Sequence, residues 1–278
     1  MVQSRSARLC SVHTRLVRFG PIHCHCHCLL PLVWLVLVGL MVGLARPAWS
    51  AGPDEVGRWP DMRKAFFADG EAMFDARVRV ELPGSAEDAM NVPVAVDARA
   101  LPAGSVERII VVADFNPILK VLEFEPGALA PYIAFRMKVQ QTTPVRAGVK
   151  LKDGRWLVGS AVVSSAGGGC TAPSVGRGVA GWERTLNQVS ARQFSSASGA
   201  RLRFSVLHPM DTGLAPGIPA FYLDELNIRD ATGAVVARIL PAEPVSENPV
   251  FTLDAPGGLT GLLIDGRDNN GNRVTGAI

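Results

Sequence analysis

Chemistry of one kind stands out in this 278-residue chain. Ser164-Ser165-Ala166-Gly167-Gly168-Gly169-Cys170-Thr171-Ala172-Pro173 runs three glycines directly into a cysteine, and no other cysteine occurs after residue 28. A thiol on a glycine run suits covalent carriage, because glycine gives the backbone freedom and adds no side-chain width. From Ser165 to Cys170, full extension reaches about 17–18 Å. The thirty or so residues beyond would span roughly 27–33 Å as a random coil; a turn or two of amphipathic structure at Trp182 to Phe194, if it docks, would tether the arm and shorten its reach. No Lys, Arg or His lies within six residues of Cys170, Arg177 being the nearest. The sequence therefore offers nothing to lower the thiol pKa, and about 3% would be thiolate at pH 7. That suits a passenger-bearing group better than a self-sufficient nucleophile. A buried inert thiol and an intermolecular disulfide remain open beside the carrier.

Other candidates are weaker. His208, the one histidine beyond residue 50, could pair with Cys170 as a dyad, but beside Pro209 at a strand end it reads as structural. Asp265, Asp268, Asn269 and Asn270 could suggest calcium but read better as a hairpin turn. Asp224 and Glu225 are adjacent, so on a strand they face opposite ways and form no carboxylate pair.

Residues 1–50 read as a Sec-type signal peptide. Arg5, Arg8, Arg15 and Arg18 precede an apolar run from Leu29 to Ala45, and Ala48-Trp49-Ser50 supplies small residues for cleavage. An uncleaved anchor is the alternative, because seventeen residues is about the shortest span. His23-Cys24-His25-Cys26-His27-Cys28 has metal-ligand chemistry, but it lies upstream of the cleavage site and would be discarded. Of the 28 Lys and Arg, five fall in this segment, which has no acid; the remainder carries 23 against 25 acidic residues. A near-neutral chain without a basic run gives no case for nucleic acid. No cofactor or metal is implied for it, and the expected location is the periplasm, with membrane contact only through an uncleaved signal.

The elements that must position Cys170 are strands. A short helix is expected over Asp61 to Phe67 with Asp61 as N-cap. Ala76 to Leu82 alternates apolar and charged residues; Val92 to Val96 contains Pro93, which confines it to an edge or to a strand start; Val106 to Ala113 is a β-branched run. Leu119 to Phe124 follows. Ile133, Phe135, Met137 and Val139 alternate with Ala134, Arg136 and Lys138, and Val145 to Leu151 alternates with Arg146, Gly148 and Lys150 on the other face. Asp153-Gly154 turns the chain into Trp156 to Val163. The second half repeats the pattern, with Thr232-Gly233 and Asn270-Gly271 as hairpin turns. The fold class expected is all-β: two immunoglobulin-like β-sandwich domains, residues 56–164 and 200–278, joined by a flexible Gly/Ser-rich linker, 165–199, that carries the arm.

The first half resembles SoxY and the second SoxZ, the two halves of a periplasmic sulfur-oxidation carrier. In the first half the likeness rests on Ala86-Glu87-Asp88-Ala89, Val92-Pro93-Val94, Asn116-Pro117, Asp153-Gly154 and Gly168-Gly169-Cys170. In the second it rests on His208-Pro209-Met210-Asp211-Thr212-Gly213, Ile218-Pro219-Ala220, Ser246-Glu247-Asn248-Pro249 and Asp268-Asn269-Asn270-Gly271. The resemblance implies a carrier without independent turnover, with Cys170 as the thiol that holds a sulfur intermediate and Gly167, Gly168 and Gly169 as its arm. Two departures stand out. The halves are fused, and Thr171-Ala172-Pro173 replaces the family's glycines after the cysteine. Fused chains of this shape resemble SoxYZ-like carriers associated with quinoprotein dehydrogenases. The implied partners are periplasmic redox enzymes: Sox-like enzymes, c-type cytochromes or a quinoprotein (PQQ) dehydrogenase. The alternative is an accessory binding module for such a dehydrogenase or its cytochrome, without covalent cargo.

Overall fold

The computed structural model describes residues 56–196, 199–257, 259 and 261–278. The signal segment and its His-Cys run lie outside the described residues. Secondary structure is nearly all β, as the alternating patterns require. The strands are β1 (Ala72–Phe74), β2 (Arg79–Glu81), β3 (Val92–Asp97), β4 (Val106–Ala113), β5 (Lys120–Glu125), β6 (Tyr132–Met137), β7 (Thr143–Leu151) and β8 (Trp156–Val163) in the first half. The second half supplies β9 (Val189–Ser196), β10 (Gly199–Val206), β11 (Leu223–Arg229), β12 (Val235–Pro241), β13 (Val250–Pro256), β14 (Leu263–Asp268) and β15 (Arg273–Ala277). The glycines of the three expected hairpin turns, Gly154, Gly233 and Gly271, all have the positive φ such turns need.

The all-β class and the two-layer packing hold, but the two halves are not separate sandwiches on a flexible linker. A nine-stranded sheet runs β1-β8-β7-β4-β5-β12-β11-β14-β15, and a six-stranded sheet runs β2-β3-β6-β13-β10-β9. Each sheet crosses from one half to the other by an antiparallel pair. β5 meets β12, with Phe124 opposite Ile239, and β6 meets β13, with Ile133 opposite Leu253. One hydrophobic core fills the space between the layers, from Val94 and Ile109 in the first half to Phe204 and Ile264 in the second. The physical reason is the strand edge: unpaired backbone N–H and C=O groups on β5 and β6 are satisfied by β12 and β13. The expected linker also contains structure. Trp182–Thr185 is a 3-10 turn, and β9 lies within the expected linker and pairs along its whole length with β10.

Three local differences have plain causes. The helix, α1, spans Trp59–Phe66 and starts earlier than expected, because Pro60 favours its first turn; no side chain caps it. β3 is not an edge strand; Pro93 stands at its start, the other place open to it, and costs no hydrogen bond, since β2 pairs only with Ala95 to Asp97 and ends before reaching it. Arg146 occupies a face expected to be wet, but it is fully buried. α1 and the chain before it cover that face, packing Trp59, Met62 and Phe67 against Ile110, Val112, Trp156 and Val158.

Arg146 is tolerated there because Asp114 faces it. Arg146 Nε lies 3.0 Å from Asp114 Oδ1 and Nη2 3.0 Å from Oδ2, with both side chains wholly buried. Asp114 also accepts Arg58 N–H at 2.8 Å, and the Trp59 ring lies 5.3 Å from the guanidinium. Removing one member of such a pair leaves an uncompensated charge in the interior. We expect Asp114→Ala to lower the free energy of unfolding by about 3–5 kcal/mol. The check is urea denaturation, in which tryptophan fluorescence and circular dichroism should lose both halves in one coincident transition.

Candidate functional site

The arm begins where β8 ends. Ser164 pairs with Ser85, Ala86 N–H donates to Ser164 O at 2.8 Å, and Ser164 N–H to Gly84 O at 2.9 Å. Gly167 and Gly168 then take φ of +96° and +89°, which steers the chain back onto the body. Gly168 N–H donates to Gln140 O at 3.1 Å, Gly169 N–H to Val139 O at 3.0 Å, and Cys170 N–H to Gln140 Oε1 at 3.2 Å. A Cβ on Gly169 would stand 2.1 Å from Ala89 O, and one on Gly167 would stand 2.6 Å from Gln140 O. The glycines are therefore required here for contact: they let the arm backbone lie directly against the backbone at 89 and 139–140. The expected free arm is, in this structure, a docked one.

The thiol faces inward. Cys170 is 1% exposed, with Sγ 3.8 Å from Lys138 O. Its own carbonyl accepts Thr212 Oγ1–H at 2.6 Å, a contact from the second half. Burial pushes the thiol up to about 11, with the Lys138 ammonium pulling the other way. Docked, Cys170 is a neutral thiol that reagents in solvent cannot touch.

Lys138 is the group that sequence reasoning missed. The alternation through β6 assigns it to the wet face, but β6 ends at Met137 and the chain then turns under the second half. Lys138 is 1% exposed. Its N–H donates to Pro244 O at 2.7 Å, and its ammonium to Met210 O and, at 3.3 Å, to Glu243 O. Burial brings its pKa down to about 8, against the pull of Cys170, Asp211, Glu247 and Glu243. A lysine thirty-two residues away supplies the cation that the neighbourhood of Cys170 in the sequence lacks. No local signal points to it.

The segment from His208 to Gly213 is brought to the arm. Met210 O receives Lys138, Asp211 receives Ser174 N–H at 3.0 Å and the Arg177 guanidinium, and Thr212 holds Cys170. Glu247 clamps the loop beyond, taking Val175 N–H at 2.7 Å and Gly176 N–H at 2.6 Å. His208 itself does not join the thiol, so the structure forms no Cys-His dyad. It is buried, Nδ1 accepts Met210 N–H at 3.0 Å, the ring packs on Phe221, and burial brings its pKa down to about 4. Asp268 serves the β14–β15 turn, its Oδ1 accepting Asn270 and Asn272 N–H at 3.0 and 2.9 Å, while Asp265 pairs with Arg229. Among the described residues no group of three or more His, Cys, Asp or Glu could hold a metal ion. No helix among them is long and apolar enough to cross a membrane.

Comparison with known proteins places a family likeness on this geometry. Residues 63–170 match the model of the family described as sulfur oxidation protein SoxY. The match ends on Cys170, and the second half lies outside it. Among solved structures, the chain is similar to the sulfur carrier protein SoxY from Chlorobium limicola f thiosulfatophilum, at 19% identity, covering 38% of this chain and 94% of that one, with a TM-score of 0.33. No curated protein matches.

Two measurements test the docked arm. A thiol raised above its free value of 9.0 favours docking below that pH, and the preference is lost as pH rises through about 11. The rate with a charged disulfide reagent should therefore go on climbing beyond pH 9, where a free cysteine levels off, towards about pH 11, and should level off near pH 9 once the chain is unfolded in urea. Gly169→Ala, which forces a Cβ against Ala89 O, should raise the rate at neutral pH by about two- to tenfold, since one arm hydrogen bond is worth about 0.5–1.5 kcal/mol. An unchanged rate would refute the docking.

Proposed function

We propose that this protein is a covalent carrier in which Cys170 holds a sulfur intermediate for partner redox enzymes, without turnover of its own. The observation that carries the reading is the SoxY family match, whose last residue is Cys170. Supporting it, the cysteine ends a glycine segment that a few hydrogen bonds hold to the body. The second half acts as the SoxZ-like partner within the same chain. It supplies Thr212, Asp211 and Glu247 to hold the arm and the loop that follows.

In this reading the docked state is the resting state. It keeps the thiol neutral and shielded between visits to partners, and a partner lifts the arm to load or unload it. The four bonds from Gly168, Gly169, Cys170 and Thr212 are together worth about 2–6 kcal/mol at roughly 0.5–1.5 kcal/mol each, within reach of a modest interface. We assign the protein to the periplasm, exported by the signal in residues 1–50. Its partners are Sox-like enzymes, c-type cytochromes or a quinoprotein dehydrogenase, the last fitting the fused form.

The burial of Cys170 favours a second reading, in which the thiol is a packed side chain and the protein an accessory module for the dehydrogenase or its cytochrome. Intact-mass spectrometry of protein taken from its native compartment separates the two. A carrier should show a sulfur adduct that maps to Cys170 and vanishes in Cys170→Ser, together with loss of function in that variant. An unmodified thiol with a fully functional Cys170→Ser would leave the accessory reading.

A further inference from the structure

The outer face of the six-stranded sheet carries a row of side chains in register, one per strand: Glu81, Ala95, Ala134, Thr252, Arg203, Arg192. Two neighbouring rows show how differently charge is handled. On one side, every charge is answered. Asp97 takes Arg79 and Arg99, Asp254 takes Arg99 at 2.5 Å and Arg201 at 2.8 Å, and both Arg99 and Arg201 lie over the Tyr132 ring. On the other side stands Arg136, opposite Pro93. Among the described residues, Arg136, Arg192 and Arg203 have no carboxylate partner and no side-chain hydrogen bond.

Arg192 and Arg203 face each other directly across β9 and β10. Residues so opposed have Cβ atoms about 4.5–5.5 Å apart, and like charges there are destabilising, a cost that a bound counter-charge would remove. The small residues between the arginines leave a trough of about 590 Å³ along Ala95, Ala134 and Thr252. A second hollow of about 310 Å³ continues it past Arg203 to Phe194, which is 47% exposed. Glu81, at the far end, lies 3.9 Å from Arg79. Beyond the signal segment acids slightly outnumber bases, so the three uncompensated arginines are a local concentration.

We propose that this trough docks an acidic, extended segment of a partner protein, with carboxylates seated on Arg136, Arg203 and Arg192. The spacing favours a chain over a single ion. β13 lies between β6 and β10, which sets Arg136 and Arg203 at least two strand spacings, about 10 Å, apart. Alternate carboxylates of an extended segment repeat at about 6.6–6.8 Å and can engage several guanidiniums at once. Planar guanidinium forks suit carboxylates, the floor of small residues leaves room for backbone, and Phe194 offers an apolar stop. This surface is separate from Cys170 and does not depend on its chemistry.

The test uses a fluorescein-labelled hexaglutamate peptide and fluorescence anisotropy at low ionic strength. The wild-type chain should bind it, with affinity falling as salt is added. The double variant Arg192→Glu/Arg203→Glu should weaken binding by about tenfold. Arg136→Glu should weaken it severalfold, and Arg192→Gln/Arg203→Gln, which removes the charges without reversing them, should weaken it too. Arg267→Glu, on the other sheet and paired with Asp224, should leave it unchanged. Equal binding by the trough variants would overturn the proposal, as would tighter trough-dependent binding of a duplex DNA or of phosphatidylglycerol vesicles, which would assign the face to nucleic acid or to a membrane.

Discussion

The structure depends on four strand edges that meet in pairs. β5 and β6 would each end a layer of the first half with a ladder of unpaired backbone groups. β12 and β13 close those ladders within the same chain. Backbone donors and acceptors left unpaired at a sheet edge invite association with another chain. Closing them internally gives the two halves continuous sheets and a shared core between the layers. The thiol site follows from this closure, because the turn after β6 is pressed beneath the second half and carries Lys138 and Gln140 to the arm.

The arm shows how one residue type can serve two demands. Gly167 and Gly169 permit backbone contact so close that any Cβ would collide. The same residues would give the arm its freedom once those contacts break. Thr171-Ala172-Pro173 does not interrupt this arrangement: Thr171 and Ala172 N–H both turn back to Gly168 O at 3.2 Å. The loop beyond is then fastened by Asp211 and Glu247, so the docked segment is bounded on both sides.

The electrostatics of the site oppose each other. Burial disfavours the thiolate and, to a similar end, the ammonium of Lys138, while each charge favours the other. The docked pair therefore rests with the thiol protonated. Exposure would relieve the desolvation and return Cys170 to ordinary thiol behaviour. Position, more than any intrinsic activation, governs the reactivity of this cysteine.

Much of this was legible in the sequence. Alternation and β-branched runs placed most of the strands, and Val106–Ala113 and Trp156–Val163 coincide with β4 and β8, because an unbroken β-branched run and an Asp-Gly turn are local signals. The composition beyond residue 50 isolated Cys170, and the His208 to Gly213 stretch proved to be the part of the second half that meets the arm. What the sequence could not express is long-range. Alternation assigned Lys138 and Arg146 to wet faces, but whether a face is covered depends on what folds over it: the second half for one, α1 for the other. Flexible composition suggested a linker where β9 pairs with β10, and freedom where the glycines make contact. The chemical groups were set by the sequence alone. Their burial, their partners and the joining of the halves were decided only by tertiary structure, because strand edges and desolvation bring together residues that no local pattern connects.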